Sequence, residues 1–442
     1  MSWVKLLIIT ALFVAFFQNP VRADTYADVT SGSQVVVDKS YFGTHFHRLV
    51  LNDNEKKQGK FKTKWPSQHI GAVRLWDSRT RWADIALAAG QWNFERMDTY
   101  IEQATANQAM ILYTLGSTPK WASLRQEEKC SYGFGCAAEP VRIAHWEEYV
   151  RRVVQRYRGK IAIYELWNEP KFSDIARDRK TFSLGIAGFY TGSIANMVEM
   201  ARVARKVLDK EDPTAILSTP GFVNGPDRLD MFLAAGGKQY VQAVAYHFYS
   251  ENSHYMVNEL LAVKRIMKKN DVEHLPLINT ETGVEVLEVN DHPSGIATHT
   301  QVEAAEKLAQ YMLLGAFAGF QHYFQYAWDN YRSGMFSKTG ERLPSWDGYD
   351  KVHSWLLGAT LQGCVSMLPS GVRCKGERGG QRFLFAWAEK EAIHAIPVPD
   401  GQRAVSVEKL FSTTPQAIGG RDRSLKLKLG NEPVRILLEA HS

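Results

Sequence analysis

Two glutamates stand where a carboxylate can do chemistry. Glu169 closes the run Trp167-Asn168-Glu169-Pro170, and Glu281 lies in Asn279-Thr280-Glu281-Thr282-Gly283, each just after a short apolar stretch. Pro170 has no N–H to give to a sheet, so the strand ahead of it ends as the carboxylate emerges. Paired carboxyl groups are what hydrolysis of a glycosidic bond needs. One protonates the leaving oxygen and the other attacks or stabilises the anomeric carbon. They lie ~5–5.5 Å apart where configuration is retained and ~6.5–9.5 Å where it is inverted. Glu165 shares strand parity with Glu169 but sits deeper, where a buried charge paired with Arg or His is the expectation.

Other polar and aromatic residues gather at the same predicted strand ends. Arg74 is placed to keep Glu281 charged by proximity, with a barrel-interior salt bridge as the alternative. Tyr249 is placed to donate a hydrogen bond to that carboxylate. His45, His47 and His247 read as donors to sugar hydroxyls, as satisfied core histidines or, least favoured, as metal ligands; no carboxylate completes a metal spacing around them, so no metal and no cofactor is expected. Trp121, Trp167 and Trp328 either stack on a pyranose face or cap the core, and Trp328 is the first choice for stacking. Asp77 and Asp329 lie near the rim with nothing tying them to the reaction, and Tyr326 reads as packing.

The elements that must position these residues alternate. Strands are predicted at Tyr41–Phe46, Ala72–Trp76, Met110–Leu115, Ile161–Trp167, Ala215–Thr219, Ala243–Phe248, Leu277–Thr280 and Tyr323–Trp328. Between them run amphipathic segments: Ala144–Arg158, Ile186–Leu208, Met256–Lys269 and Gln301–Phe317. In the first, Trp146, Tyr149, Val150, Val153, Val154 and Tyr157 recur at steps of three and four, which draws one buried stripe. Eight strands alternating with helices predict an α/β fold, a (β/α)8 TIM barrel, whose site lies at the carboxyl ends of the strands. No glycine-rich phosphate loop follows the first strand, which argues against a dinucleotide-binding sheet. From about Cys364 short alternating runs separated by turns predict a small antiparallel β-sandwich module, which Gln34–Asp38 is placed to join. The expected divisions are 1–23 as an export signal, 24–39 as an N-terminal strand segment, 40–362 as the barrel and 363–442 as the module.

Phe42-Gly43-Thr44, Thr118-Pro119-Lys120-Trp121-Ala122-Ser123 and Tyr164-Glu165-Leu166-Trp167-Asn168-Glu169-Pro170 resemble glycoside hydrolases of clan A, family 39 in particular, and within it hydrolases of biofilm exopolysaccharide systems. The resemblance covers most of the chain after residue 23. It implies a barrel coupled to a β-sandwich and a retaining mechanism. Glu169 would be general acid and then base, Glu281 the nucleophile, and Asn168 the partner of the sugar 2-hydroxyl. Those roles call for Glu169 protonated and Glu281 ionised near neutrality. Long connections at Ser123–Glu139, Gly283–His299 and Asp329–Tyr349 surround the expected mouth. They would build either a groove for a polymer or a closed pocket; the resemblance favours the groove and endo action.

At the N-terminus, Lys5, the apolar run Leu6–Phe17 and Val21-Arg22-Ala23 read as a secretion signal cleaved after Ala23, with an uncleaved inner-membrane tether as the rival. The apolar run is shorter than the ~20 residues that span a bilayer. A periplasmic or secreted location follows. Cys130 with Cys136 and Cys364 with Cys374 form two close pairs; two local disulfides are favoured among three connectivities, and an oxidising compartment fits them. The net charge of +6 comes without a long basic block, so nucleic acid is not an expected partner. A monomer acting on polysaccharide is the expectation. An exo-acting glycosidase and a non-hydrolytic polysaccharide-binding protein are the alternatives.

Overall fold

The strand-forming runs close into a barrel because each is buried on both faces, as a strand lying between a packed interior and a helix layer must be. In the computed structural model, which describes residues 25–30, 35–66, 69–183, 185, 188–286, 299–330, 333–337, 339–418 and 423–440, the barrel strands are β1 (Phe42–Thr44), β2 (Ala72–Leu75), β3 (Met110–Thr114), β4 (Ile163–Glu165), β5 (Ile216–Ser218), β6 (Val244–His247), β7 (Leu277–Thr282) and β8 (Tyr323–Gln325). They pair in parallel around the ring, β8 returning to β1. The ring closes between β5 and β6 through the parallel bridge Ser218–Ala243, with Thr219 N–H on Ala243 O at 3.0 Å and Gln242 N–H on Leu217 O at 2.8 Å.

Inside the barrel the side chains are layered. Ala72, Leu112, Ile163, Ala243, Ile278 and Phe324 form a buried apolar cluster of their own. Two residues further along β2, β3 and β4 the same inward face carries Arg74, Thr114 and Glu165, because strand side chains alternate with a period of two. An apolar floor thus lies under a polar layer, and the mouth opens above it.

The helices cover the outside. Ile143–Arg156 buries Trp146, Tyr149, Val150, Val153 and Val154 along one stripe, as its spacing predicts. Gln301–Phe317 starts with a capping box: Glu303 N–H reaches the Thr300 hydroxyl and Thr300 N–H reaches the Glu303 carboxylate. The helix expected at Ile186–Leu208 instead runs Ile194–Glu211, with Ser193 capping Asn196 N–H at 3.0 Å. Gly188 and Gly192 disfavour helix ahead of that cap, and residues 186 and 187 lie outside the described residues.

The C-terminal region is antiparallel. Its main sheet includes β9 (Thr360–Met367), β10 (Gly371–Arg378), β11 (Gln381–Ala388), β13 (Gln402–Lys409) and β15 (Val434–Ala440). β12 (Ala392–Pro397) and β14 (Ser424–Leu429) form a separate two-stranded ribbon. Val35–Val36 joins the edge of the main sheet beside β9, the place the sequence assigns to that segment. β11 alternates between two duties. Leu384, Ala386 and Ala388 face a core shared with Ile396 and Leu429 of the ribbon, while Phe383, Phe385 and Trp387 belong to the barrel's own core. Phe385 meets Trp355 and Phe317 at ring-centroid distances of 5.5 and 6.1 Å.

Both close cysteine pairs are disulfides, Cys130–Cys136 and Cys364–Cys374. They fit an oxidising compartment outside the cytosol. No helix among the described residues is long and apolar enough to cross a membrane. The signal and tether expectations fall on residues 1–23, outside the described residues.

Phe385 is fully buried between module and barrel. Phe385→Ala is expected to cost about 3–5 kcal/mol in denaturant unfolding. A loss below about 1 kcal/mol would mean that the two parts are not packed as one cooperative core.

Candidate active site

The mouth is organised by Arg74, which points up from the polar layer and is 1% exposed. Its Nε and Nη2 donate to Glu165 Oε2 at 2.9 and 2.5 Å, Nη1 to Glu281 Oε2 at 2.7 Å, and Nη2 also to Asn168 Oδ1 at 2.7 Å. Thr114 Oγ1 adds a donor to Glu165 at 2.6 Å. Glu165 is therefore the buried, paired charge expected of it. Arg74 thereby fixes the Asn168 amide through its carbonyl oxygen.

Glu281 reaches the mouth through a β-bulge. On the neighbouring strands Tyr246 pairs with Asn279 but His247 pairs with Glu281, so β7 carries one extra residue there. Strict alternation after Ile278 would turn residue 281 outward; the extra residue re-aims it. Tyr249 O–H donates to Glu281 Oε1 at 2.8 Å.

Glu169 follows β4 with φ +42°, a left-handed conformation that non-glycine residues seldom adopt, and its N–H is held by Gly221 O at 2.9 Å. His247 Nδ1 lies 2.9 Å from Glu169 Oε1. Gly221 passes so near the pair's supports that a Cβ there would sit 2.4 Å from His247 Nε2 and 2.7 Å from Glu165 Oε1. Only glycine fits.

One oxygen of Glu169, one of Glu281 and a ring nitrogen of His247 all lie within 4.8 Å of one another. The two carboxylates thus come close enough at their nearest oxygens for the retaining arrangement. The trio also has the donor types of a metal site, but the Arg74 guanidinium already sits against Glu281, and a fixed cation there opposes a second one.

Electrostatics divide the groups. Burial works against the charge on Arg74, yet Glu165 and Glu281 outweigh it and raise its pKa, so it is a permanent cation. Burial pushes Glu281 up to about 7; His247 and Arg74 pull it down, while Glu169 and Asp77 push it further up. A titration at about 7 leaves Glu281 part ionised and part protonated at neutrality. Enclosure beside two more carboxylates offsets the guanidinium. Burial, then Glu281, holds the Tyr249 hydroxyl well above its usual pKa, so it remains a donor. Burial and then Arg74 keep His45 far below the usual histidine value. Its Nε2 contacts Thr280 O at 3.1 Å, which makes it a core histidine.

The remaining predicted residues separate. Trp328 is 4% exposed and its ring is covered by Phe46, Phe336 and Trp346 at 5.4, 4.8 and 4.9 Å, so it packs instead of offering an open face at the mouth. Trp167 is fully buried, with Nε1 on Phe189 O at 2.8 Å, and caps the core. His47 lies against Tyr326 at 5.2 Å with its Nε2 unpaired. Trp121 is half-buried beside a separate cleft.

Three residues that sequence reasoning set aside or missed join the site. Asp77 accepts from Tyr132 O–H at 2.6 Å and Tyr326 O–H at 2.7 Å. Burial opposes its charge, but His47 and the two hydroxyls overcome it and lower its pKa. Tyr326 is thus a polar partner as well as packing. The position of Asp77 just past β2, three residues after Arg74, is the only signal the sequence offers for it. Asp329 accepts the N–H groups of His47 and Arg48 at 2.8 and 2.9 Å, a loop clamp away from the pair.

The fold is shared with glycoside hydrolases of families 39 and 30. A family 39 glycoside hydrolase from Bacteroides cellulosilyticus matches with TM-score 0.66 at 16% identity, over 92% of this chain and 82% of that one. A family 39 β-xylosidase from Caulobacter crescentus matches with TM-score 0.59 at 14% identity, over 93% and 98%. A family 30 subfamily 8 xylanase from Clostridium acetobutylicum matches with TM-score 0.56 at 14% identity, over 90% and 95%. No protein-family model and no curated protein matches the sequence.

Two pH effects follow from Glu281. If its ionised form attacks, kcat/KM falls as pH drops below about 7, and Tyr249→Phe, which removes a hydrogen bond to the charged form, moves that limb to higher pH. A limb unmoved by Tyr249→Phe would contradict the assignment. For stability the sign is opposite to that of a salt-bridged carboxylate. A pKa raised in the fold gives a contribution that is complete below the unfolded value of 4.5 and lost as pH rises through about 7. Glu281→Gln is therefore expected to melt higher than the unsubstituted chain at pH 8 and equally at pH 4.5, as read by thermal denaturation.

Proposed function

We propose that this chain is a retaining glycoside hydrolase that cuts an exopolysaccharide internally. The observation that carries the reading is the pair of carboxylates, with oxygens within 4.8 Å, delivered to one mouth by β4 and β7. In the first step a Glu281 oxygen attacks the anomeric carbon while Glu169 gives its proton to the leaving oxygen, and the glycosidic C–O bond breaks. In the second, Glu169 takes a proton from water, whose oxygen attacks the same carbon and displaces Glu281. Two inversions at one carbon give retention.

The surroundings support these roles. Arg74 and Tyr249 stabilise the carboxylate that Glu281 regains as leaving group. His247 holds Glu169 in place. Asn168, held through its carbonyl by Arg74, has its amide N–H groups to donate to the sugar 2-hydroxyl, a contact that strengthens as the ring flattens. His47 Nε2, unpaired beside Tyr326, is a second group for sugar hydroxyls. Two disulfides favour a periplasmic or secreted protein.

Internal cutting of a biofilm exopolysaccharide rests on the sequence motifs. The neighbours named for xylosidase and for xylanase activity both share this fold, so the fold leaves end-wise cutting as the second reading. The test is reducing-end release from extracted exopolysaccharide and a panel of β-glycans. The expected outcome is release of mixed oligosaccharides, with Glu169→Gln and Glu281→Gln each reduced at least a thousandfold and chelator without effect. Monosaccharide as the sole product would select end-wise cutting. Binding alike by all three proteins with no release from any polymer would replace the hydrolase with a polysaccharide-binding protein.

A further inference from the structure

A cleft of about 600 Å³ opens beside the mouth, within the ~300–1,000 Å³ span of small-ligand sites. Its walls include Arg81, Ser117, Trp121, Tyr132 and Phe134. Arg81 follows β2 and the others follow β3, so the cleft lies on the same carboxyl-end face as Glu169 and Glu281. Tyr132 is the shared wall: its ring lines the cleft while its hydroxyl donates to Asp77, the carboxylate that Tyr326 also reaches. The Cys130–Cys136 disulfide closes the hairpin that carries Tyr132 and Phe134.

Two buried polar atoms of the cleft have no partner. Ser117 is 1% exposed and Arg81 8% exposed, and neither Ser117 Oγ nor Arg81 Nη1 makes a hydrogen bond. The charge of Arg81 is already met. Its Nε and Nη2 hold Asp84 at 2.7 and 3.1 Å, and its guanidinium carbon lies 3.5 Å from the centroid of the Tyr132 ring. What remains is the Nη1 group without an acceptor, an unfavourable state for a buried donor. Ser117 also has φ +63°, a strained conformation of the kind found at ligand clamps.

The apolar surfaces are set differently. Trp121 is fixed by Nε1–H on Ala86 O at 2.9 Å, whereas Phe134 is 56% exposed. One held ring, one open ring, a hydroxyl and a spare guanidinium N–H match a pyranose, which offers C–H faces and a rim of hydroxyls. They do not match a dianion, because both cations of the cleft are already paired, Arg81 with Asp84 and Lys120 with Glu127 at 2.8 Å.

We infer that this cleft is a glycosyl subsite, holding a sugar unit of the substrate chain at a distance from the bond that is cut. The inference rests on the hydrolase reading above and extends it: the substrate is a chain of several sugars.

The test uses the chain carrying Glu169→Gln, with xylo-, manno- and gluco-oligosaccharides of one to six units as probes and calorimetry as the readout. In at least one series, affinity is expected to rise at least tenfold between two and four units. Adding Phe134→Ala or Trp121→Ala should abolish that rise and leave the shortest members unchanged. Phe134 is exposed, so its variant keeps the fold even if Trp121→Ala does not. No dependence on length in any series, or a dependence that survives both substitutions, overturns the subsite. Failure of the hydrolase reading is distinct: the unsubstituted chain would then release no reducing ends from any polymer, or Glu281→Gln would turn over an aryl glycoside as well as it does, with the length dependence intact.

Discussion

A cation buried under the mouth of a barrel must be neutralised, and in this chain that requirement sets the site. Arg74 is 1% exposed, and an unpaired guanidinium at that depth would be prohibitive. Glu165 supplies a full counter-charge from β4, fixed in turn by Thr114 from β3. With its charge met below, Arg74 has N–H groups left to hold Glu281 and to orient Asn168. One side chain thereby joins β2, β4 and β7, and the two glutamates are referenced to the same atom group. The period-two layering of the barrel interior explains why an arginine is tolerated there: the apolar layer that includes Ala72 and Leu112 seals the barrel beneath it.

The rest of the architecture serves that arrangement. The bulge in β7 turns Glu281 inward, and the left-handed turn at Glu169 together with Gly221 lets β4 deliver its carboxylate over His247. The disulfide hairpin pins Tyr132 against Asp77, which also receives Tyr326 from beyond β8. The C-terminal sheet gives the barrel a second cover: Phe383, Phe385 and Trp387 enter its core while the opposite face of the same strand packs on a ribbon.

What the sequence makes legible follows from what is local. Eight apolar runs, the proline after Glu169 and the stripe Trp146–Val154 predict the barrel and place both glutamates at strand ends. A buried, paired Glu165 is readable from strand parity, and Tyr249 beside Glu281 from its place just past β6. The misreadings are tertiary. Trp328 ends up covered because Phe336 of the connection that follows it and Trp346 of the helix Pro344–Leu356 fold back to meet it. Asp77 gains its role only when tyrosines from two other segments converge on it. The near-neutral titration of Glu281 depends on enclosure, which no spacing encodes. Nor does alternation announce a bulge: read strictly, it would have turned Glu281 away from the mouth.

The most direct test of the account is to trap the covalent glycosyl-enzyme. A 2-deoxy-2-fluoro glycoside with a good leaving group slows the second displacement, and peptide mass spectrometry then locates the sugar. The account predicts one sugar per chain, attached to the peptide containing Glu281, together with product of retained anomeric configuration from unmodified substrate. An adduct on another residue, or product of inverted configuration, would contradict it.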